Sequence, residues 1–426
     1  MTILLSTIII LTYMINGYAG LVLMVGILLW NIVIKNDYSV SNLLHYIVLC
    51  LPFSYIGITG TSMHQLYSWY NLLLVILVGT FIYKDNWKVN ISRGAAIALV
   101  IVVFLLNLNL LWSNGLGKDI QEIIQILVML IPLLLFHGER NQINLSKSSA
   151  EKLIVEYGEV CTATAISMLI QYILYITTHR VIGIIHFTGG GRTQCYVLFK
   201  GASILPIFMG VGLIMYFIHI MESSYNLKSL VNMVLIFAAM VLNSSRTGML
   251  MALVVAGLIC FVKILESPSI GKILVTVAGI AGAYYGVNYM TSKRASLDGF
   301  LDANGRTTTW INGLKIWTHD LKNFLIGEGF SGGMWNGITK THNFAIQTVA
   351  QCGVIVGVII LGLFVVYFLR NKNNKYVYLP LFIVLSGMLV TDFYANAFTT
   401  IIFILVDIYG AKTNFDESIY FVGESI

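Results

Sequence analysis

Three arginines of this 426-residue chain, Arg192, Arg246 and Arg306, each precede a threonine and follow a small or turn-forming residue, in GGGRT, NSSRT and ANGRT. A guanidinium is a planar cation with five donors, suited to gripping phosphate oxygens with two bonds at once. Three of them converging outside a membrane suggest a site for an anionic, phosphorylated substrate. A fourth residue, His342, stands beside Asn343 at the mouth of an apolar stretch. Arginines near an imidazole favour its neutral form, which is the form a general base requires.

The elements that would hold these residues are set by composition. The chain is 58% hydrophobic and 10% charged, with a mean hydropathy of +0.84. A soluble domain carries about 25% charged residues, so this chain is built for lipid and a large soluble domain is excluded. Apolar stretches of roughly 17–25 residues recur from end to end, each long enough to cross a ~30 Å hydrocarbon core. They must be helices, since a helix satisfies its own backbone hydrogen bonds in lipid and a barrel would show ten-residue alternation.

Hydropathy and turn signals place spans near 3–15, 18–34, 41–57, 66–83, 94–112, 119–136, 154–177, 202–220, 228–242, 247–265, 270–290, 344–369, 376–393 and 396–410. One helix over residues 1–34 would be ~50 Å long, too long for one crossing, and Asn16-Gly17 offers a turn between two short ones. The expected architecture is an all-α polytopic membrane protein of about 13–14 spans, from the sequence pattern. Residues 1–410 form a single membrane domain in this reading and 411–426 a short cytoplasmic tail. The five cysteines show no CxxC pair or metal spacing and read as small buried hydrophobes. The first residues lack a basic segment and a small-residue cleavage site, so no removable signal peptide is expected.

Basic residues fix the expected orientation. Lys35; Lys84, Lys88 and Arg93; Arg140, Lys147 and Lys152; Lys228; Lys263 and Lys272; Arg370, Lys372 and Lys375; and Lys412 fall in every second loop. The positive-inside rule makes those loops cytoplasmic. The two long outer loops, 178–201 and 291–343, carry most of the remaining basic residues, and long loops translocate with less regard to charge. Eleven of the seventeen lysines are then cytoplasmic, whereas five of the eight arginines are external. Topology needs only positive charge, so the external bias towards guanidinium points to a ligand.

The loop 291–343 contains Trp310, Ile311, Leu314, Trp317, Leu321, Phe324 and Leu325 at helical spacing, with Lys315, His319, Asp320 and Lys322 on the other face. Thr307 or Thr308 can cap the start of this amphipathic helix and Gly327 can end it. It would serve as an interfacial anchor or as a mobile lid. Beyond the glycine-rich GEGFSGGMWNG, Gln347 and Gln351 are expected on roughly the face of His342, and Gly353 and Gly357 as a small-residue pair that admits a neighbouring helix.

Each arginine has a structural alternative. Arg246 could snorkel from a helix end, although an outer helix start opposes a cation and makes a positive spot with it. Arg192 could be solvated, but three preceding glycines let backbone approach a ligand closely. Arg306 could pair with Asp302 or Asp298. Arg180 and Arg294 are flanking anchors or subsidiary substrate contacts. Seven of the eight histidines have structural explanations in or beside spans and loops. No histidine–carboxylate cluster suggests a metal, and no DxD motif suggests a nucleotide-sugar site. A flippase or exporter would be expected to carry charge along a central pathway, whereas Asp392 and Asp407 are the main buried acids, with no basic partners beside them in the sequence.

This parts list suits a glycan on a polyprenyl diphosphate carrier. Displacing the diphosphate at the anomeric carbon develops negative charge that two or three arginines can neutralise, with ~3–4 kcal/mol lost per donor removed. A neutral histidine could take the proton from the attacking hydroxyl. Three segments carry a resemblance: GRTQCYVLFKGAS at 191–203, SSRTGML at 244–250, and GRTTTWINGLKIWTHDLKNFLIGEGF with THNFAIQTVAQCGVIVG from 305 to 357. In these the chain resembles the bacterial O-antigen polymerase and O-antigen ligase superfamily, over about its C-terminal half.

The resemblance implies that Arg192 and Arg246 hold the carrier diphosphate, that His342 activates the acceptor hydroxyl, and that Arg306 assists with a less defined role. Arg180, Arg294 and Asn343 are the further substrate-binding candidates. The resemblance also implies an inverting, metal-independent transfer with no cofactor. The chain departs from the family at Ala345 or Ile346, where a leucine is frequent, and near Gln351, where an acidic helper is common. A polymerase extending an undecaprenyl-diphosphate-linked oligosaccharide is the expected activity, ahead of a ligase acting on lipid A core and of a flippase or exporter. The expected setting is the bacterial cytoplasmic (inner) membrane, with both termini cytoplasmic and the active site outside. Membrane lipid, a chain-length regulator and a flippase of the same pathway are the expected partners, with no nucleic acid.

Overall fold

The computed structural model describes residues 1–30, 39–56, 68–84, 91–139, 143, 145–188, 192–199, 204–222, 226–243, 246–292, 306–335, 341–388 and 397–423. The chain order is α1 (Thr2–Ile15), α2 (Gly17–Leu29), α3 (Val40–Leu49), α4 (Trp69–Lys84), α5 (Arg93–Leu108), α6 (Leu116–Glu139), α7 (Lys147–Thr178), β1 (Ile184–Thr188), β2 (Arg192–Val197), α8 (Ile204–Glu222), α9 (Leu227–Leu242), α10 (Arg246–Glu266), α11 (Ile270–Ser292), α12 (Arg306–Trp317), α13 (Leu321–Ile326), α14 (Phe344–Arg370), α15 (Tyr378–Gly387) and α16 (Ala397–Gly423).

The protein is an almost wholly helical, apolar chain. Six described helices are long and apolar enough to cross a membrane: 93–112, 116–138, 147–178, 204–222, 248–266 and 344–370. Shorter apolar helices of 10–17 residues lie at seven of the other eight expected spans, and α16 lies at the eighth. Local chemistry starts them where the sequence suggests. Asn16 Oδ1 accepts from the amides of Tyr18 and Ala19, so the turn at Asn16-Gly17 breaks the N-terminal stretch into α1 and α2. Ser39, Ser92 and Asn226 cap α3, α5 and α9 in the same way.

The chain divides into two compact units, each assembled from separated stretches. The first comprises Met1–Leu73, Glu151–Asp302 and Tyr378–Ser386, and is centred on α8, which is buried along most of its length and packs on α9 and α10. The second comprises Leu74–Ala150, Ala303–Val377 and Gly387–Ile426. Its core joins Val102, Leu105 and Leu106 of α5, Ile123 of α6, Phe330, and Cys352 and Val356 of α14.

Four elements depart from the sequence reading. The loop 178–201 contains an antiparallel hairpin, β1 with β2. The single amphipathic helix is two, because Asp320 leaves the helix and caps α13, its Oδ1 accepting from Asn323 N at 2.7 Å. That bond to its charged form also holds the Asp320 carboxyl below the usual range. Gly327 ends α13 as expected, and Trp317 and Phe324 stack at 5.2 Å across the break. α16 runs on to Gly423, through the stretch expected as a tail.

The fourth departure concerns α14. Its 27 residues suffice for a crossing by length, yet the rings of Phe344 and Phe364 lie 6.3 Å apart. Residues twenty apart on a straight helix are separated by about 30 Å. The chain therefore doubles back at Gly353, whose φ of 75° and ψ of 173° interrupt the helix. Arms 344–352 and 354–370 run side by side, so α14 is not one straight span. Gly353 and Gly357 thus do not present a seam to a separate span. A Cβ on Gly357 would meet Val349 of the opposite arm at 3.0 Å, and a Cβ on Gly353 would sit 2.2 Å from the Leu325 carbonyl oxygen. The φ/ψ of Gly353 belongs to a region essentially reserved for glycine. Gly353→Ala is expected to lose at least about 1–3 kcal/mol from backbone strain alone. Gly357→Ala, at an ordinary helical φ, should cost much less. Thermal unfolding of both variants in detergent checks this, and equal losses would contradict the fold-back.

Candidate functional site

The expected site residues fall into two clusters, one in each unit. In the first unit, Arg192 opens β2, where it pairs in register with Thr188. Gln171 of α7 braces the hairpin: its Nε2 donates to the carbonyls of Ile182 and Ile184, and its Oε1 accepts from Val197 N. Cys195, Val197 and Phe199 are buried beneath it. The run RTQCYV carries the β-branched and aromatic residues Thr193, Tyr196 and Val197 just after a glycine run, which is the signal for this hairpin that hydropathy windows average away.

Gln194 then ties the strand to α9. Its Nε2 donates to the Asn243 carbonyl at 3.3 Å, while its Oε1 accepts from Tyr196 OH at 2.8 Å. Gln194 lies two residues after Arg192, about 7 Å along the same strand face. Asn243 lies three residues before Arg246, the first residue of α10. The hydrogen bond therefore brings the segments bearing Arg192 and Arg246 together. Of these two arginines the structure describes the backbone alone. α10 can start here because Gly248 lets it press on α8, where a Cβ would meet Pro206 at 2.7 Å.

Asn243 itself is fully buried, and neither Nδ2 nor Oδ1 has a hydrogen-bond partner among the described residues. A buried amide without partners costs about 1–3 kcal/mol per unmet group, so this side chain adds an unmet donor and acceptor beside Arg246. Sequence reasoning passed over both Asn243 and Gln194. The NSS run before Arg246 was the available signal.

Arg180 follows the end of α7, exposed, after His179 at a φ of 54°. Its amide donates to Thr178 Oγ1 at 3.3 Å, and its position suits a flanking anchor. Arg294 lies outside the described residues, as do Asp298, Asp302 and Asp392.

In the second unit, Arg306 begins α12 half-buried, and burial lowers the pKa of its guanidinium, which stays charged. Thr309 Oγ1 contacts both the Arg306 carbonyl at 2.8 Å and the Thr341 carbonyl at 3.2 Å. Gly313 allows the same approach one turn on, since a Cβ would meet Thr341 at 2.4 Å and Ile346 at 2.8 Å. The start of α12 and the turn carrying His342 are thereby fastened together.

That turn is tightly specified. Asn343 caps α14, its Oδ1 accepting from Ile346 N at 3.1 Å. Gln347 is fully buried, and its Oε1 accepts from Thr341 N at 2.8 Å and lies 3.0 Å from Thr341 Oγ1. Gln347 therefore braces the turn from beneath. It does not continue a face with His342, which lies outside the helix. Gln351 is also buried, at the bend, where its carbonyl accepts from Gly329 N and Asn109 Nδ2. His342 is exposed and held at a φ of 52°, a left-handed conformation uncommon outside glycine. Strain of this kind persists where surrounding structure over-determines a residue, and it concentrates at functional sites.

No protein-family model matches the chain. Comparison with curated proteins likewise returns no match. Function rests on the chemistry of the two clusters. One gathers the segments of two arginines around an unsatisfied buried amide, a setting for an anion with hydroxyl or amide groups. The other presents an imidazole on a capped turn that is fastened to the start of the helix Arg306 opens, a setting for proton transfer if both side chains face one ligand.

Proposed function

We propose that this protein is a polysaccharide polymerase of the O-antigen or capsular type. It would transfer a glycan from an undecaprenyl diphosphate carrier to an acceptor sugar hydroxyl on the outer face of the bacterial cytoplasmic membrane. The Gln194–Asn243 hydrogen bond carries this reading, because it brings the segments of Arg192 and Arg246 to one place, as a diphosphate clamp requires. Arg192 and Arg246 would bind the diphosphate and take up the charge that develops as it leaves. Bidentate guanidinium–phosphate bonds serve this role without a metal. His342, its Asn343-capped turn fixed in place, would accept the proton of the attacking hydroxyl. A single displacement of this kind inverts the anomeric carbon. Arg306, Arg180 and Arg294 would bind the glycan or its carrier. The reading puts this chemistry outside the cell, the side on which long loops are tolerated, and leaves α14, doubled back at Gly353, out of the count of straight crossings. A flippase delivering the carrier and a chain-length regulator are the partners this chemistry needs.

Deleting the gene and resolving surface glycans on a gel tests the reading. A polymerase deletion leaves single-repeat products. Polymer stranded on its carrier would instead indicate a ligase, and loss of all surface glycan an exporter; either would overturn the proposal.

A further inference from the structure

The second unit holds a further feature, which borders the His342 turn through Phe344. A cavity of about 500 Å³ runs between α5, α6, α14 and α16. Its walls are almost wholly apolar: Ala98 and Val102, Leu130 and Leu133, Ile359 and Leu363, with Phe403 and Ile404. The volume lies in the range of ligand sites. α5 and the second arm of α14 run antiparallel here, because Leu106 packs near Val356 while Ser92 and Arg370 lie at the opposite ends. From Val356 to Arg370 the arm is about 21 Å long. One leaflet of a ~30 Å hydrocarbon core is about 15 Å deep, so an acyl chain fits lengthwise.

Polar chemistry gathers at one end of the cavity. Arg370, His137, Asp407 and Ser92 all line it there. Asp407 was expected to lack a basic partner, yet it is held by two groups from other elements. His137 Nδ1 lies 2.7 Å from its Oδ2, and Asn371 Nδ2 donates to its Oδ1 at 2.8 Å. Arg370 Nη1 in turn donates to His137 Nε2 at 2.6 Å. An accepting Nε2 requires the proton on Nδ1, facing Asp407. The relay thus consumes the buried carboxylate and aims the guanidinium from a rigid base. It uses one of five guanidinium donors. Arg370 is exposed, as are Ser92, Arg93 and Gly94 at the N-terminus of α5, where Ser92 takes the Ala95 amide and the first-turn amides of Arg93 and Gly94, with the helix dipole, favour an anion. Among the described residues, the lining contains no other acid than Asp407.

We propose that this groove binds one anionic diacyl phospholipid, an acyl chain lying along α14 and the phosphate held between Arg370 and the N-terminus of α5. The apolar walls recognise the chain, and the cation and helix terminus recognise the charge. The site does not depend on the polymerase reading.

Purified protein in detergent is titrated with dioleoylphosphatidylglycerol and with dioleoylphosphatidylcholine, and bound lipid is read by native mass spectrometry. Phosphatidylglycerol should bind about fivefold more tightly, the preference one guanidinium contributes. Arg370→Gln should reduce it to the phosphatidylcholine level. Gly362→Trp should abolish binding of both lipids, since Gly362 lines the groove and faces open space, so the ring enters it without a clash. A phosphatidylglycerol with a photoreactive acyl tail should label the unaltered protein on α5, α6, α14 or α16, which tests the site even if a variant misfolds. Equal binding of the two lipids, an unchanged Arg370→Gln variant, or labelling elsewhere would overturn the proposal. Displacement of the lipid by millimolar inorganic phosphate would show a headgroup site without a tail groove. Stronger binding of undecaprenyl phosphate than of phosphatidylglycerol would assign the groove to the carrier. Both of these outcomes would also overturn it.

Discussion

His342→Ala should leave lipid-linked donor bound but unreacted, with transfer slowed by roughly 10²–10⁴, the usual contribution of a positioned general base. The left-handed backbone at this residue makes the choice of control important. Alanine disfavours a positive φ, so loss of activity alone could come from a shifted turn. Asparagine is among the few residues that visit that conformation readily, and it cannot act as a base near neutral pH. His342→Asn should therefore melt like the unaltered protein while being as inactive as the alanine variant. Measuring donor binding and single-turnover transfer separately distinguishes chemistry from assembly. Full activity in the asparagine variant would remove the imidazole from the reaction, leaving the turn with a structural role only.

Most helices were legible because hydropathy and caps act locally. Asn16 stops one helix and starts the next through its own side chain, and Asn343 marks the start of α14 in the same way. Elements decided by distant contacts were not legible. The bend in α14 depends on α13 backbone pressing on Gly353, and nothing in the run FAIQTVAQCGVIVG shows that neighbour. Its apolar composition suits one straight crossing as well as two arms. The hairpin depends similarly on Gln171, far off on α7. Asp407 looked isolated because His137 and Asn371 are remote in sequence and meet it only after folding.

The site was legible in its charged members and not in its supports. Arginine types and their threonine neighbours pointed to Arg192, Arg246 and Arg306. The groups that hold those segments are amides and hydroxyls: Gln194, Asn243, Thr309, Thr341 and Gln347. Such residues are common in helix ends and loops, and their type alone does not reveal a partner. Their role follows only from which carbonyl or amide lies within reach.

Arg246→Lys is the sharper test of the clamp, because it keeps the charge and removes only the fork. Lysine supplies a point charge on a flexible stem, so it can attract a diphosphate without fixing two oxygens at once. If Arg246 acts by long-range attraction, the variant should make polymer of normal length. If it grips the leaving diphosphate with two bonds, polymer formation should fall by about 10²–10³, the loss seen when one preorganised donor is removed from a developing anion. The neighbouring Asn243 gives the experiment a second arm. Its buried side chain has no partner among the described residues, so Asn243→Leu should be tolerated in folding yet weaken substrate use if that amide meets the ligand. Loss of polymer in Arg246→Lys with unaltered thermal stability supports a bidentate clamp. Normal chain length in that variant would leave the arginine as an ordinary helix-end cation, and the proposed chemistry would lose its principal source of charge stabilisation.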